Sequence, residues 1–342
     1  MIKHTELNKK PYICTMKKLA VVILAVFLGM TKLFAQEELI YNQYHYNYYL
    51  VNPALAGAEP CSHFMLTNRM QWVGMSDFPM TQLASFKTRV WDNVGIGAYL
   101  FHDRNGYSNR AGGQVTFAYH IPLSNGRQFS KKKSYDRQLS FGVSFKINYF
   151  YISNKLFDDT SLDMDGGAIT DDAFANTDGW APNMNFGIYY KDYGGFVGVS
   201  LTNLIPYKAD IYGDKEIPAP LSGYIFGGYT FDLGARKDKY LEPMAMIKFN
   251  QYGWFGMDLN LKFGHEVEKD YWGYWVQASY RHSWNPNNIQ AMTLMPMCGF
   301  NIKNFQIGYA FSLDLNNLVT QNYGTHEIML GYTLCYQKHF CR

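Results

Sequence analysis

The stretch Gly324-Thr-His-Glu-Ile-Met-Leu-Gly-Tyr-Thr-Leu-Cys-Tyr336 decides the fold. In an extended chain His326, Ile328, Leu330, Tyr332, Leu334 and Tyr336 share one face, and Thr325, Glu327, Met329, Gly331 and Thr333 share the other. One face is apolar with aromatic ends; the other is small and polar. A strand that separates lipid from a polar lumen has this pattern. So does a soluble strand with its apolar face inward.

Three further stretches separate these alternatives. Phe255, Met257, Leu259, Leu261 and Phe263 oppose Trp254, Gly256, Asp258, Asn260 and Lys262. Leu139, Phe141, Val143, Phe145, Ile147 and Tyr149 oppose Ser140, Gly142, Ser144, Lys146 and Asn148. Phe305, Ile307, Tyr309, Phe311 and Leu313 oppose Asn304, Gln306, Gly308, Ala310, Ser312 and Asp314. Lys146, Asp258, Lys262 and Asp314 would be costly in a dry core without partners, whereas a hydrated lumen carries them cheaply. The charges favour a membrane barrel. The stretches 62–72 and 94–104 alternate poorly and take their assignment from their neighbours.

Outward from these, strand-length runs fall near 62–72, 80–91, 94–104, 110–122, 138–151, 183–191, 195–203, 222–232, 240–250, 253–264, 270–283, 287–300, 303–315 and 324–337. The expected fold is all-β: a transmembrane, antiparallel outer-membrane β-barrel of about 14 strands over residues 61–342, an even number within the bacterial range. Aromatic residues make up 17% of the 342-residue chain, and charged residues also 17%. No apolar run beyond the N-terminal segment is long enough for a spanning helix. A closed barrel is then the one way to satisfy the backbone in lipid.

Residues 1–35 are expected to be a secretory signal, with 1–15 an upstream extension because Met16 is an equally good start. Lys17-Lys18 precede the apolar core Leu19–Leu28, and Leu33-Phe34-Ala35 offers a cleavage site. A membrane-anchoring helix is the alternative. Residues 1–35 carry six Lys and one Glu, so removing them changes the net charge from +3 to −2. The basic balance therefore says nothing for nucleic acid. Residues 36–60, rich in Tyr and Asn and broken by Pro53 and Gly57, are too polar to span lipid and too aromatic for a free linker. They are expected to plug the lumen or strap its periplasmic mouth, with a mobile tail as the alternative.

With a periplasmic N-terminus, the longest loops, 152–182 and 204–221, fall outside the cell. Short turns such as Asp92-Asn93, Asp192-Tyr193 and Asn301-Ile302 fall inside, as in outer-membrane barrels. The longer inner loop Ser124–Tyr135 carries Lys131, Lys132 and Lys133, read either as plain solvation or as a docking patch for an acidic periplasmic partner.

No catalytic constellation, cofactor motif or metal-ligand spacing is present, so an enzyme is not expected. His326 and Glu327 are adjacent in a strand and point to opposite faces. The acidic loop Asp158–Asp172 lacks EF-hand spacing. In a closed barrel the first and last strands are neighbours. Cys61 at the periplasmic start of one is then within reach of Cys335 or Cys341 near the end of the other, and a disulfide would staple the seam.

Val51-Asn-Pro-Ala-Leu-Ala-Gly57, Asn68-Arg-Met-Gln-Trp-Val-Gly74 with Pro79 and Thr81-Gln82, Phe117–Leu123, Asn183–Gly187, Val197–Leu204 and the closing Gly324–Tyr332 occur in an order that resembles the PorP/SprF family of the Bacteroidetes type IX secretion system. Leu55 departs from an aromatic common in that family. The resemblance implies a non-enzymatic protein in the outer membrane of a Gram-negative bacterium. It would support export or surface attachment of proteins with a C-terminal sorting domain, gliding adhesins among them. The implied partners are outer-membrane lipid, the periplasmic ring proteins, a peptidoglycan-binding lipoprotein and the secreted surface protein. The motif residues Asn52, Pro53, Gly57, Arg69, Gln71, Trp72, Gly324, His326, Glu327 and Gly331 are expected to be structural, with Arg69 and Gln71 holding the N-terminal segment from a shared strand face. A transport channel of the fatty-acid-uptake kind is the competing reading.

Overall fold

The structure, a computed structural model, describes residues 44–124, 127–129, 132–134, 136–153, 178–207, 218–235, 238–268, 271–284, 290–315 and 322–335. The signal region, the acidic loop, Lys131 and Cys341 lie outside them. Fourteen antiparallel strands form the wall: β1 (Ser62–Met70), β2 (Met80–Trp91), β3 (Val94–Asn105), β4 (Ser108–Pro122), β5 (Arg137–Ile152), β6 (Asp178–Asp192), β7 (Gly195–Thr202), β8 (Ser222–Tyr229, resumed as Phe231–Leu233), β9 (Lys239–Asn250), β10 (Phe255–Glu268), β11 (Trp272–Trp284), β12 (Gln290–Ile302), β13 (Phe305–Asp314) and β14 (Thr325–Leu334). Each strand pairs with its sequence neighbour, and β1 pairs with β14, so the sheet closes. A small hairpin, Arg127–Phe129 with Lys132–Ser134, stands apart in the inner loop and contains two of the three lysines singled out above. Among the described residues no helix is long and apolar enough to cross a membrane; the chain crosses with strands.

The period-2 pattern places side chains as lipid and lumen require. On β14 Ile328, Leu330 and Leu334 are exposed on the wall while Thr325, Glu327 and Met329 are buried inside. Leu100 is 69% and Val115 62% exposed on the outer face. The poorly alternating stretch at β3 also alternates, with Gly95, Gly97, Tyr99 and Phe101 inward and Ile96 and Leu100 outward. Its inner face looked wrong for a polar lumen because it meets another part of the chain.

Both ends of the closure are reinforced. The β1–β14 ladder runs over nine positions, from Ser62 opposite Leu334 to Met70 opposite His326. Just beyond its Ser62–Leu334 end Cys61 and Cys335 form a disulfide, with Cα atoms 4.6 Å apart. At the Met70–His326 end the β1–β2 loop bonds to the β13–β14 loop: Val73 N–H donates to Gly324 O at 3.0 Å and Tyr323 N–H to Val73 O at 2.7 Å.

Candidate functional site: a strap across the lumen

Residues 44–58 run through the barrel interior as three short 3₁₀ turns, Tyr44–Tyr46, Tyr48–Leu50 and Pro53–Leu55. Pro53 opens the last turn, and Asn52 caps it, its Oδ1 accepting from Ala54 N–H at 2.9 Å. Tyr44, Tyr49, Asn52, Ala54 and Ala56 are buried. The strap is part of the buried core.

The wall admits the strap because it lacks side chains along the strap's path. A Cβ on Gly142 would stand 2.3 Å from Ala54 N, one on Gly187 2.0 Å from Asn52 Oδ1, one on Gly95 2.0 Å from Ala56 O and one on Gly97 2.7 Å from the Tyr49 ring. All four contacts are far inside van der Waals distance. β3, β5 and β6 thus leave a shallow glycine channel. Gly57 turns the chain toward β1 at φ +67°, where a Cβ would also strike Thr88 O at 2.6 Å.

Hydrogen bonds from one side of the barrel then fix the strap's trailing part. Asn52 Nδ2 donates to the wall carbonyls of Ile188 (2.9 Å) and Val199 (3.3 Å), and Ser200 Oγ donates to Val51 O at 2.6 Å. Tyr49 shares a 2.8 Å bond with Thr116, and Asn47 Nδ2 donates to Ser85 Oγ at 2.8 Å. The Gly57 turn is held by Arg89, fully buried, whose Nε donates to Gly57 O at 2.8 Å while a terminal nitrogen donates to Ala58 O and Gln138 Oε1, both at 2.7 Å. His120 Nε2 reaches Ala56 O at 3.1 Å. These anchors all come from β2 to β7.

The leading end of the strap belongs to the opposite wall. Tyr46 packs on Trp275 with ring centres 4.2 Å apart, under Lys262 Nζ at 4.3 Å. Tyr48 stacks on Phe226 and donates to Met244 Sδ. Asn260 Nδ2 donates to the Tyr44 hydroxyl at 3.0 Å. Burial pushes the hydroxyls of Tyr44, Tyr46 and Tyr48 well above their ordinary value, so the strap's leading tyrosines stay neutral.

Next to Tyr44 the charges expected to be hydrated are dry instead. Asp258 is 0% exposed; Lys248 Nζ lies 2.9 Å from its Oδ1, and Arg281 grips both oxygens at 3.0 Å. Hydration is replaced here by a two-cation clamp on one carboxylate, the arrangement a buried charge requires. Asp314 is likewise held, by Thr293 (2.8 Å) and Trp72 Nε1 (3.0 Å).

The motif residues divide into two groups. Asn52, Pro53 and Gly57 build the strap. Arg69, Gln71, Trp72, Gly324, His326 and Glu327 gather instead at the Met70–His326 end of the closure. Arg69 is opposite Glu327 across the seam, Gln71 N–H bonds Pro79 O at 2.8 Å, and His326 Nδ1 shares a 2.7 Å bond with Tyr309. Glu327 is fully buried while His326 faces outward, as their adjacency requires. Gly331 sits between Met65 and Gln306 in the ladder. The arginine on the Gly57 turn is Arg89, at the other end of the next strand from Arg69. Ser85, which binds the strap, pairs with Met65, and Arg69 lies four residues further toward the opposite rim. Sequence reasoning missed Arg89 and the glycine channel; Gly142 and Gly187 inside otherwise regular strands were the available signal. Cys61 takes Cys335 as its partner. Among the described residues no group of His, Cys, Asp or Glu is arranged to hold a metal ion.

A closed 14-strand wall with an apolar outer face and an occupied interior defines an outer-membrane β-barrel. The family described as "Type IX secretion system membrane protein PorP/SprF" matches residues 33–332, and the chain belongs to that family. It is therefore a membrane component of the type IX secretion system, located in the outer membrane. Curated proteins gave no match. Among solved structures the chain is similar to the TodX monoaromatic hydrocarbon channel deltaS2 mutant (10% identity, TM-score 0.47, 85% of this chain and 94% of that one). It is also similar to a bacterial polysaccharide outer membrane secretin (10%, TM-score 0.40, 81% and 99%) and to BamA from Haemophilus ducreyi lacking POTRA domains 1-3 (8%, TM-score 0.40, 80% and 70%).

Proposed function

We propose that the protein is a non-conducting, non-catalytic element of the secretion system. In this role it receives or anchors exported proteins with a C-terminal sorting domain, gliding adhesins among them, at the cell surface. Its long external loops face the cargo. Its periplasmic rim docks to the ring proteins and a peptidoglycan-binding lipoprotein. The observation that carries this reading is the strap, hydrogen-bonded to β2, β7 and β10, because a lumen crossed and anchored on both sides does not serve as a conduit for protein. A crosslinked pull-down from native outer membranes, read by mass spectrometry together with single-channel recording of the purified barrel, tests it. Recovery of secretion components or a sorting-domain protein with a silent barrel is expected. An open pore of stable conductance with no secretion partner would refute it in favour of a transport channel.

A further inference from the structure

Besides the one-residue bulges at Arg89–Trp91 and Glu266–Glu268, two ladders in the wall lose two consecutive pairs with no change of register, both at proline. Between β8 and β9 the register runs unbroken from Gly228 opposite Met244 to Phe231 opposite Leu241, yet the two positions between, at Tyr229-Thr230 and Glu242-Pro243, form no ladder pair. Between β12 and β13 the register continues from Leu294 opposite Leu313 to Met297 opposite Ala310, and the two positions between, at Met295-Pro296, are again missing. Proline has no N–H to give. In a lipid-embedded wall every backbone group needs a partner, so an internal proline is a costly choice.

The two prolines sit in one row. Pro243 pairs with Leu261, Leu261 with Ala278 and Ala278 with Pro296. At a single height they therefore frame a panel of four strands, β9 to β12, whose own ladders are continuous across that row. The bilayer side of the panel is dished, a concavity of about 590 Å³ that includes Gly227, Pro243, Ala245, Leu261 and Ala278. Its lumen side holds the leading end of the strap through Asn260, Lys262 and Trp275. The β1–β14 closure, by contrast, has an uninterrupted ladder, a disulfide at one end and loop bonds at the other.

We propose that the barrel opens sideways at this panel and not at its closure. The β9–β12 strands swing toward the bilayer about the two interrupted ladders. Tyr44 and Tyr46 move with them, while Tyr49–Ala58 stays on β2–β7. The dished face gives the movement room: Gly227, Ala245 and Ala278 leave a hollow between the exposed leucines Leu259, Leu261 and Leu294.

Hydrogen exchange of the full chain in lipid nanodiscs, read by mass spectrometry, tests this. Amides of Tyr229 and Phe231 and those at 310–312 are expected to exchange at least about tenfold faster than those of the β1–β14 ladder, whereas Thr230, whose N–H donates to Gly194 O at 2.9 Å, stays protected. Pro243→Val restores a donor on one side only. If the panel moves as a unit, this variant slows exchange at 310–312 and at 44–46 as well as at Tyr229 and Phe231. Equal protection of the interrupted and closing ladders in the unmodified protein would overturn the proposal without any variant. So would a Pro243→Val effect confined to Tyr229 and Phe231, which marks local fraying.

Discussion

Replacing Arg89 by alanine tests whether the strap is held from one place or from many. The side chain is fully buried and makes three hydrogen bonds of 2.7–2.8 Å, two of them to strap carbonyls, Gly57 O and Ala58 O. A hydrogen bond from a charged donor contributes about 1.5–3 kcal/mol net. Losing two strap contacts should therefore weaken docking by roughly 3–6 kcal/mol, since the carbonyls left behind gain no new donor. At 1.4 kcal/mol per factor of ten, the undocked fraction rises by about 10²–10⁴. The anchors at Asn52, Tyr49 and Ser200 remain, so the barrel should still assemble, which heat-modifiability on a gel would verify. Amides of Ala54 and Ala56 should lose protection by that factor, and the purified variant should show intermittent conductance in planar bilayers. If a correctly assembled Arg89→Ala barrel kept both protection and silence within about threefold of the unmodified protein, the strap would not depend on this turn, and its assignment as the retaining device would fail.

Three other expectations can be measured by denaturant unfolding in detergent. Gly142→Ala places a methyl 2.3 Å from strap backbone that cannot move aside, and should cost at least about 1–3 kcal/mol and release the strap; Gly106→Ala, whose Cβ would meet open space at φ +58°, should cost only about 1–2 kcal/mol and leave the strap docked. Asp258→Asn leaves Lys248 and Arg281 facing each other without their carboxylate and should destabilise by about 3–5 kcal/mol; a loss under 1 kcal/mol would mean that water had taken its place. Cys61→Ser, or reductant added to the unmodified protein, should lower stability by about 2–4 kcal/mol, and identical midpoints with and without reductant would show that the closing ladder needs no staple.

The wall was legible because lipid leaves few choices. The spacing of Ile328, Leu330 and Leu334 declares a strand, and the charges opposite the apolar rows of other strands decide that the apolar side meets lipid. The strap was legible by composition, since five tyrosines between 41 and 49 fit neither lipid nor open solvent. How the two fit together was not. Arg69 drew notice beside Gln71 and Trp72, whereas Arg89, at the other end of the next strand, meets Gly57 only because of the β1–β2 register and the loop between them. Gly95 and Gly97 made β3 look irregular for the same reason: a residue without a side chain says nothing of what fills the space it leaves. The dry charge clamp at Asp258 was likewise hidden, because its cations come from two other strands.

The Cys61–Cys335 bond also bears on how the molecule is made. Its two sulfurs belong to positions 274 residues apart, and they meet only when the last strand lies beside the first. The strap leads directly into Cys61, so the same bond also ties the strap's trailing end to the closing strand. The bond forms only after the wall has closed, and the oxidised pair is therefore a covalent record of completed closure.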